Sequence, residues 1–269
     1  MALITSQQLA NFYEHYANIE VTFTKEVIRV IGLRAKETLL RCLGAQWPCI
    51  IYSSSMSGAK VLANVGSDLF QKIREANNLV SLRFGSSHPD KQDPIAFFVS
   101  AKATGFNPYN KDHPDLNFIT LKYTQRPSGD LISVLGTLLE ANINAKRRKE
   151  ERIDINPETV RKLGLQSKEG VLFVDGVPRK CILRDLSFSG AQVLITGVAK
   201  FLLNRDAVLK INLDDNEAGL TVPAKVVRFE EFADQKGIGT VGLHFNENEV
   251  SMEYKMRLNE YIGTVRKHS

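Results

Sequence analysis

The sequence predicts a mainly β protein: two small β-barrel domains with peripheral helices, joined by a helix and a basic linker. Three observations point to it. Short runs rich in β-branched, aliphatic and aromatic residues recur in both halves, and glycine turn signals break them. One long amphipathic pattern sits mid-chain and runs without a glycine stop into Lys146-Arg147-Arg148-Lys149-Glu150-Glu151-Arg152. At 269 residues, 43% hydrophobic and 24% charged, the chain is long enough for two cores and is not composed like a disordered one.

In the first half, Leu9, Phe12, Tyr13 and Tyr16 fall at helical spacing, so a short amphipathic helix is expected over Ser6 to Asn18. Glu20 to Val65 then reads as mostly strand. Its β-rich runs are Thr38 to Leu43, Cys49 to Tyr52 and Lys60 to Ala63, broken by Gly44 and Ser57-Gly58. Ser67 is expected to cap a helix reaching about Asn77. Leu79 to Phe84, Pro94 to Ala103 and Leu116 to Tyr123 are further strands, with a polar loop from Gly105 to Asp115.

Pro127-Ser128-Gly129 starts the clearest helix. Leu131, Val134, Leu135, Leu138, Leu139 and Asn142 form one stripe facing a core. The domain boundary is placed near Ala145: 1–140 is a first barrel domain, 141–152 the helix end and basic linker, and 153–269 a second barrel domain. In the latter, Pro157 to Leu163 is a short helical insertion. Val171 to Val174 and Lys180 to Asp185 pair through Asp175-Gly176, a strong two-residue hairpin signal. Gln192 to Thr196, Val208 to Leu213, Leu220 to Phe229 and Gly239 to Phe245 supply more strands. A last helix is expected over Glu247 to Val265. No sequence repeat is visible between the halves.

Several function classes drop out. No apolar run is long enough to span a bilayer, and Met1 to Ala10 lacks the build of a signal peptide, so a cytoplasmic protein is expected. Cys42, Cys49 and Cys181 show no metal-ligand spacing and read as reduced and buried, and the five histidines are scattered. Asp214-Asp215-Asn216-Glu217 lacks the glycine and distal glutamate of a calcium loop. Trp47 reads as a core or domain contact. No nucleophile elbow, Walker loop or assignable base is present, so no catalytic residue, metal or cofactor is expected. The formal charge of +5 does not by itself require a nucleic-acid partner.

Two segments carry chemistry together. Arg148 and Arg152 stand four apart beside a helix end, where both can converge on one ligand. Each guanidinium offers a planar fork that matches phosphate oxygens or the O6/N7 edge of guanine, which a lysine cannot supply. Asp185, ionised, is acceptor-only and suits the N1 and N2 donors on guanine's other edge. Ser187 can donate to a phosphate or accept from a base, and Gly190 allows a tight turn and a close ligand. Alone, a basic run is a solvated linker and Asp-x-Ser-x-x-Gly a turn with an Asx bond. Their joint appearance across one hairpin favours a pocket for a small dianion bearing bases.

Arg148-x-x-x-Arg152 followed by Asp185-x-Ser187-x-x-Gly190 resembles the paired signature of PilZ domains, bacterial receptors for cyclic di-GMP. The Gly190-Ala191-x-Val193 continuation, Gly242-x-x-Phe245 and the C-terminal helix fit as well. The resemblance covers Lys146 to the end. The first half carries neither motif, and the layout is similar to two-domain members in spirochaetes whose first domain is itself PilZ-like.

This resemblance implies a receptor, not an enzyme, with cyclic di-GMP as ligand. Arg148 and Arg152 would contact guanine and phosphate, Asp185 and Ser187 would hold the guanine, and Gly190 would keep the corner open. Arg147 would add a phosphate contact or stack on a second ligand molecule, while Ser189 would support the turn. Binding would stiffen a connector loosened by its own cations and set the angle between domains. An unnamed downstream protein, serving motility or another regulated process, would read the change. A nucleic-acid-binding regulator using the linker and a protein-interaction adaptor are the alternatives.

Overall fold

Two-residue turns in left-handed backbone set the layout of both halves. Leu43-Gly44 has φ of 46° and 78°, and Asp175-Gly176 has 50° and 80°, the positive-φ pair that a tight hairpin demands. The computed structural model describes residues 4–87, 95–113, 115–197, 200–231 and 237–266. The chain forms two compact units, Met1–Leu139 and Glu140–Ser269.

The first unit runs α1 (Ser6–His15), β1 (Val21–Thr22), α2 (Lys25–Val30), β2 (Leu33–Cys42), β3 (Ala45–Ser54), β4 (Gly58–Asn64), α3 (Ser67–Glu75), β5 (Leu79–Ser86), β6 (Ile95–Pro108) and β7 (Leu116–Tyr123). Helix α4 (Gly129–Arg147) follows. The second unit contains β8 (Ile153–Asp154), α5 (Pro157–Leu163), β9 (Leu165–Val174), β10 (Val177–Leu186), β11 (Gly190–Thr196), β12 (Asp206–Leu213), β13 (Leu220–Glu231), β14 (Ile238–Phe245) and α6 (Met252–Arg266).

Each unit is a closed six-stranded antiparallel barrel. The first closes in the order β3-β2-β5-β6-β7-β4, with β4 returning to β3 and β1 added on β3. The second closes as β10-β9-β12-β13-β14-β11, with β11 returning to β10 and β8 added on β10. Closure leaves no sheet edge to cover. Inward residues alternate along every strand: Leu40, Val61, Leu82 and Ile119 are fully buried in the first barrel, and Leu172, Val193, Leu209, Val222 and Val241 in the second.

The structure corrects several expected boundaries. Helix α2 lies inside the stretch read as strand, because Thr24 accepts from the Val27 amide as an N-cap. Gly66, not Ser67, is the N-cap of α3. Strand β6 continues to Pro108 across a bulge between Ala103 and Gly105, so the expected loop begins later; Pro94, where it was expected to start, lies outside the described residues. Helix α6 begins at Met252, after a turn whose Glu249 and Val250 amides donate to the Asn246 carbonyl. In α4, Asn142 is exposed and Ile132 and Ala141 join the buried stripe. Trp47 is half-buried, with the Lys72 ammonium 5.9 Å from its ring centre.

The units also repeat one another, which the sequence reading missed. Adding 132 to a first-unit number carries Val21–Thr22 onto Ile153–Asp154, Thr24 onto Asn156, Gly32 onto Gly164, Leu43-Gly44 onto Asp175-Gly176 and Gly58 onto Gly190, without a gap. Pairing registers follow the same offset, bulges included: Ser53 pairs Lys60 as Asp185 pairs Gln192. Few side chains match, so the kinship lies in backbone conformation and inward–outward alternation.

Candidate functional site

The corner between β10 and β11 is built by backbone bonds before any ligand chemistry enters. An extra residue, Arg184, bulges the strand between Leu183 and Asp185, which re-aims the side chains that follow. The Ser187 amide donates to the Gly190 carbonyl at 2.8 Å, and its hydroxyl donates to the same oxygen at 3.2 Å. The Phe245 amide closes the far side on the Ser189 carbonyl at 2.7 Å. From α6, the Tyr254 hydroxyl donates to the Ser187 carbonyl at 2.8 Å, and its ring meets Phe245 edge-on. Burial drives the Tyr254 phenol pKa well above its ordinary value, and the charge on Asp185 adds to that.

Gly190 has a packing reason beside the one expected. A Cβ there would sit 2.3 Å from the Leu243 carbonyl oxygen of β14. The neighbouring strand by itself already requires this glycine. Ser187 is fully buried, so its hydroxyl shapes the corner from beneath.

The cationic segment is stitched onto this corner. Helix α4 ends at Arg147, and the Arg148 amide still donates to the Asn144 carbonyl at 2.8 Å. The Ser189 hydroxyl donates to the Lys149 carbonyl at 2.8 Å, and its amide approaches the same oxygen at 3.3 Å. Lys149 pairs with Glu247 at 2.5 Å; that bond holds the Glu247 carboxyl below its usual range. The Asn144 amide donates to Asn259 Oδ1 at 2.6 Å, and Asn259 donates to Glu140 Oε2 at 3.1 Å, fastening the end of α4 to α6. Within the second unit, Glu247 and Ser189 thus offset the repulsion among the segment's cations and tie Lys149 down.

The structure brings Arg152 and Asp185 together: Nη1 donates to Oδ1 at 2.5 Å. The Asp185 side chain is only 11% exposed, whereas that of Arg152 is 48% exposed. The Arg148 side chain is 28% exposed, with its Nε 4.0 Å from Glu151, and Arg147 is exposed at the end of α4. The three arginines thus stand on one short segment, and of them Arg152 is the one shown seated on the Asp185 carboxylate. A guanidinium held on a carboxylate in this way can take a polyanion whose other edge carries N–H donors.

Sequence reasoning missed Lys149, Glu247 and Tyr254 as supports, and gave Ser189 only the turn. Nothing in the local sequence marks Tyr254, because its partner is a backbone carbonyl 67 positions away. Among the described residues, no group of three or more His, Cys, Asp or Glu side chains is arranged to hold a metal ion. Among them, too, no helix is long and apolar enough to cross a membrane.

Comparison with known proteins gives the context. The PilZN3 domain matches residues 7–142 and the PilZ domain matches residues 146–263. A cyclic di-GMP binding protein of Treponema denticola is 42% identical over 267 residues, covering 99% of this chain and 85% of that protein. Among solved structures, the Borreliella burgdorferi PlzA protein in complex with c-di-GMP is 22% identical, covers 95% of this chain and 98% of its own, and aligns with a TM-score of 0.44. Two domain families meeting at the end of α4, and a relative this similar over nearly the whole chain, leave one assignment: the chain belongs to the PilZ family, with a PilZN3 domain followed by a PilZ domain.

Proposed function

We propose that the protein is a non-enzymatic receptor for cyclic di-GMP, binding it at the rim formed by Arg147, Arg148, Arg152 and Asp185. The single observation that carries this reading is the half-exposed Arg152 guanidinium seated on the nearly buried Asp185 carboxylate. A guanidinium has five N–H donors, and the bond to Asp185 uses Nη1, so the fork still has donors for a second acceptor. Arg148 and Arg147 stand on the same segment and supply the charge for two phosphates. Asp185 accepts from the guanine N1 and N2 edge, while Ser187 and Gly190 hold the corner in shape.

The relative from T. denticola, named for binding cyclic di-GMP, supports the same ligand. Ligand uptake on the segment that joins the two units would change their relative orientation, which a downstream protein reads. Motility or another downstream process is the output of that partner.

Isothermal titration of the full chain with cyclic di-GMP, against GTP and cyclic GMP as controls, tests the receptor reading. Saturable binding of the cyclic dinucleotide alone is expected. Equal binding of all three, falling steeply with salt, would instead indicate a general phosphate or nucleic-acid binder. Small-angle scattering with and without ligand tests the change of orientation, and an unchanged profile at saturation would reject it.

A further inference from the structure

The acid of the corner is the first member of a row running across the outside of the second barrel. Asp185 pairs with Gln192, Gln192 with Gly242, and Gly242 with Arg228. The neighbours Ala191, Val193, Val241 and Leu243 are buried inside the barrel, so alternation turns Gln192 and Gly242 outward. Two bulges bracket the row, one between Leu183 and Asp185 and one between Val226 and Arg228. Bulges re-aim the residues beside them. Here they put an acid and an arginine on one outer face, three strand spacings or roughly 14 Å apart.

The middle of the row is a gap. Gly242 has no side chain, and a Cβ there would stand 3.1 Å from the Cβ of Arg228, so the arginine stem forms the wall of that gap. The Arg228 side chain is 65% exposed and rests on Glu230 through an exposed ion pair, a weak restraint that a ligand can displace.

The first barrel supplies an internal comparison, because the same row exists there. Ser53 pairs with Lys60, Lys60 with Thr120, and Thr120 with Gly105, with bulges at the matching places. Every position differs: the acid is a serine, the floor glycine is a threonine, and the arginine is a glycine. The residue preceding the short entering strand is Glu20 instead of Arg152, and Ser53 hydrogen-bonds to its carboxylate. Lys60 is drawn onto the rings of Phe118 and Tyr52. The barrel that lacks the arginine motif thus also lacks the gap and the distal arginine, although its backbone is the same.

Resting on the reading of the rim as a cyclic di-GMP site, we propose that the site continues along this row. Gly242 is the floor for the second half of the ligand, and Arg228 is a specificity-determining residue that reads its second guanine. A guanidinium fork matches the O6 and N7 acceptors of guanine. Adenine offers N7 but a donor at position 6, so the same fork would meet a mismatch. Gln192 stands between the two base positions and orients whichever edge lies over it.

The test is calorimetric titration of the full chain with cyclic di-GMP and with mixed 3′,3′ cyclic GMP–AMP. The mixed ligand can leave its guanine on Asp185 and present adenine to Arg228. Wild type is expected to prefer cyclic di-GMP by about tenfold. Arg228→Ala should weaken cyclic di-GMP about tenfold, or 1.4 kcal/mol, and bring the preference close to one. Arg228→Lys, which keeps the charge without the fork, should not restore it. Gly242→Val should weaken both ligands, and Arg228→Glu serves as a second surface variant whose thermal melt checks folding. Unchanged affinity and unchanged preference in Arg228→Ala and Arg228→Glu would overturn the proposal. If Arg152→Ala loses binding while both Arg228 variants match wild type, the extension alone falls. If wild type takes up no cyclic di-GMP, the underlying reading falls with it.

Discussion

Arg152 and Asp185 lie 33 positions apart in the chain and meet at 2.5 Å on the outside of the second barrel. The arginine precedes β8 and the acid lies on β10. The pairing of Asp154 with Asp185 in that two-strand ladder sets them side by side. One partner is nearly buried and the other half-exposed, so the pair does two jobs. It neutralises a carboxylate that water reaches poorly, and it holds a guanidinium fork facing outward.

Arg152→Ala should therefore affect both stability and binding. Losing the donor to a nearly buried carboxylate costs about 1–3 kcal/mol, readable by urea unfolding. Affinity for cyclic di-GMP should fall more than about tenfold, since a charged hydrogen-bonding fork is removed. Arg152→Lys should recover most of the stability but little of the affinity, because an ammonium cannot bond Asp185 and the ligand in one plane. Equal affinity of the alanine variant and wild type would reject the assigned site.

The two glycines on either side of strand β10, Gly176 and Gly190, should differ in what they tolerate. Gly190→Ala drives a Cβ to 2.3 Å from the Leu243 carbonyl, so strand β14 must move, at about 3 kcal/mol. Gly176→Ala meets nothing within 4 Å and faces only its positive φ of 80°, a cost of about 1 kcal/mol. Thermal melts of the two variants rank them directly; a Gly176→Ala variant as damaged as Gly190→Ala would contradict the steric account.

Tyr254→Phe should lower stability at neutral pH by about 1–2 kcal/mol, because the Ser187 carbonyl loses a buried donor. The pH dependence has a definite sign. Burial raises the phenol above its ordinary value of 10.0 in the folded state, so the folded protein holds that proton more tightly than the unfolded chain. Its contribution is complete below the unfolded value and is lost progressively as pH rises past about 10. Denaturation midpoints from pH 8 to 11 should fall more steeply for wild type than for Tyr254→Phe, and parallel curves would refute the assignment.

The thiols offer a third probe of the interiors. Burial pushes Cys49 up to about 12 and Cys181 up to about 11, and Cys42 is also raised and buried. Thiolate is the reactive form. A disulfide reagent at pH 8 should therefore label none of the three in the native chain and all three after unfolding. Rapid labelling of Cys181 in the native chain would show that the second barrel opens at β10.

Much of the fold was legible residue by residue. Asp175-Gly176 announced its hairpin because few sequences tolerate two positive φ angles in succession. The stripe of Leu131, Leu135, Leu138 and Leu139 announced α4 because 3.6-residue spacing puts those side chains on one buried face. Helix α2 was not legible, since its six residues include Val27, Ile28 and Val30, which suit a strand equally well. The 132-residue repeat was hidden for a related reason: barrels constrain which way a side chain points far more tightly than which side chain it is.

The site divides along the same line. Side-chain chemistry at short spacing named the arginines, the acid and the corner, because a planar fork and an acceptor-only carboxylate bond few things well. What Gly190 is for, why Ser187 is buried, and how Ser189 and Glu247 restrain the cations came from strands and helices distant in sequence. Those answers, like the row from Asp185 to Arg228, depend on pairing register. Register is a property of the closed barrel, because each strand's position is set by both its neighbours and by no stretch of its own residues.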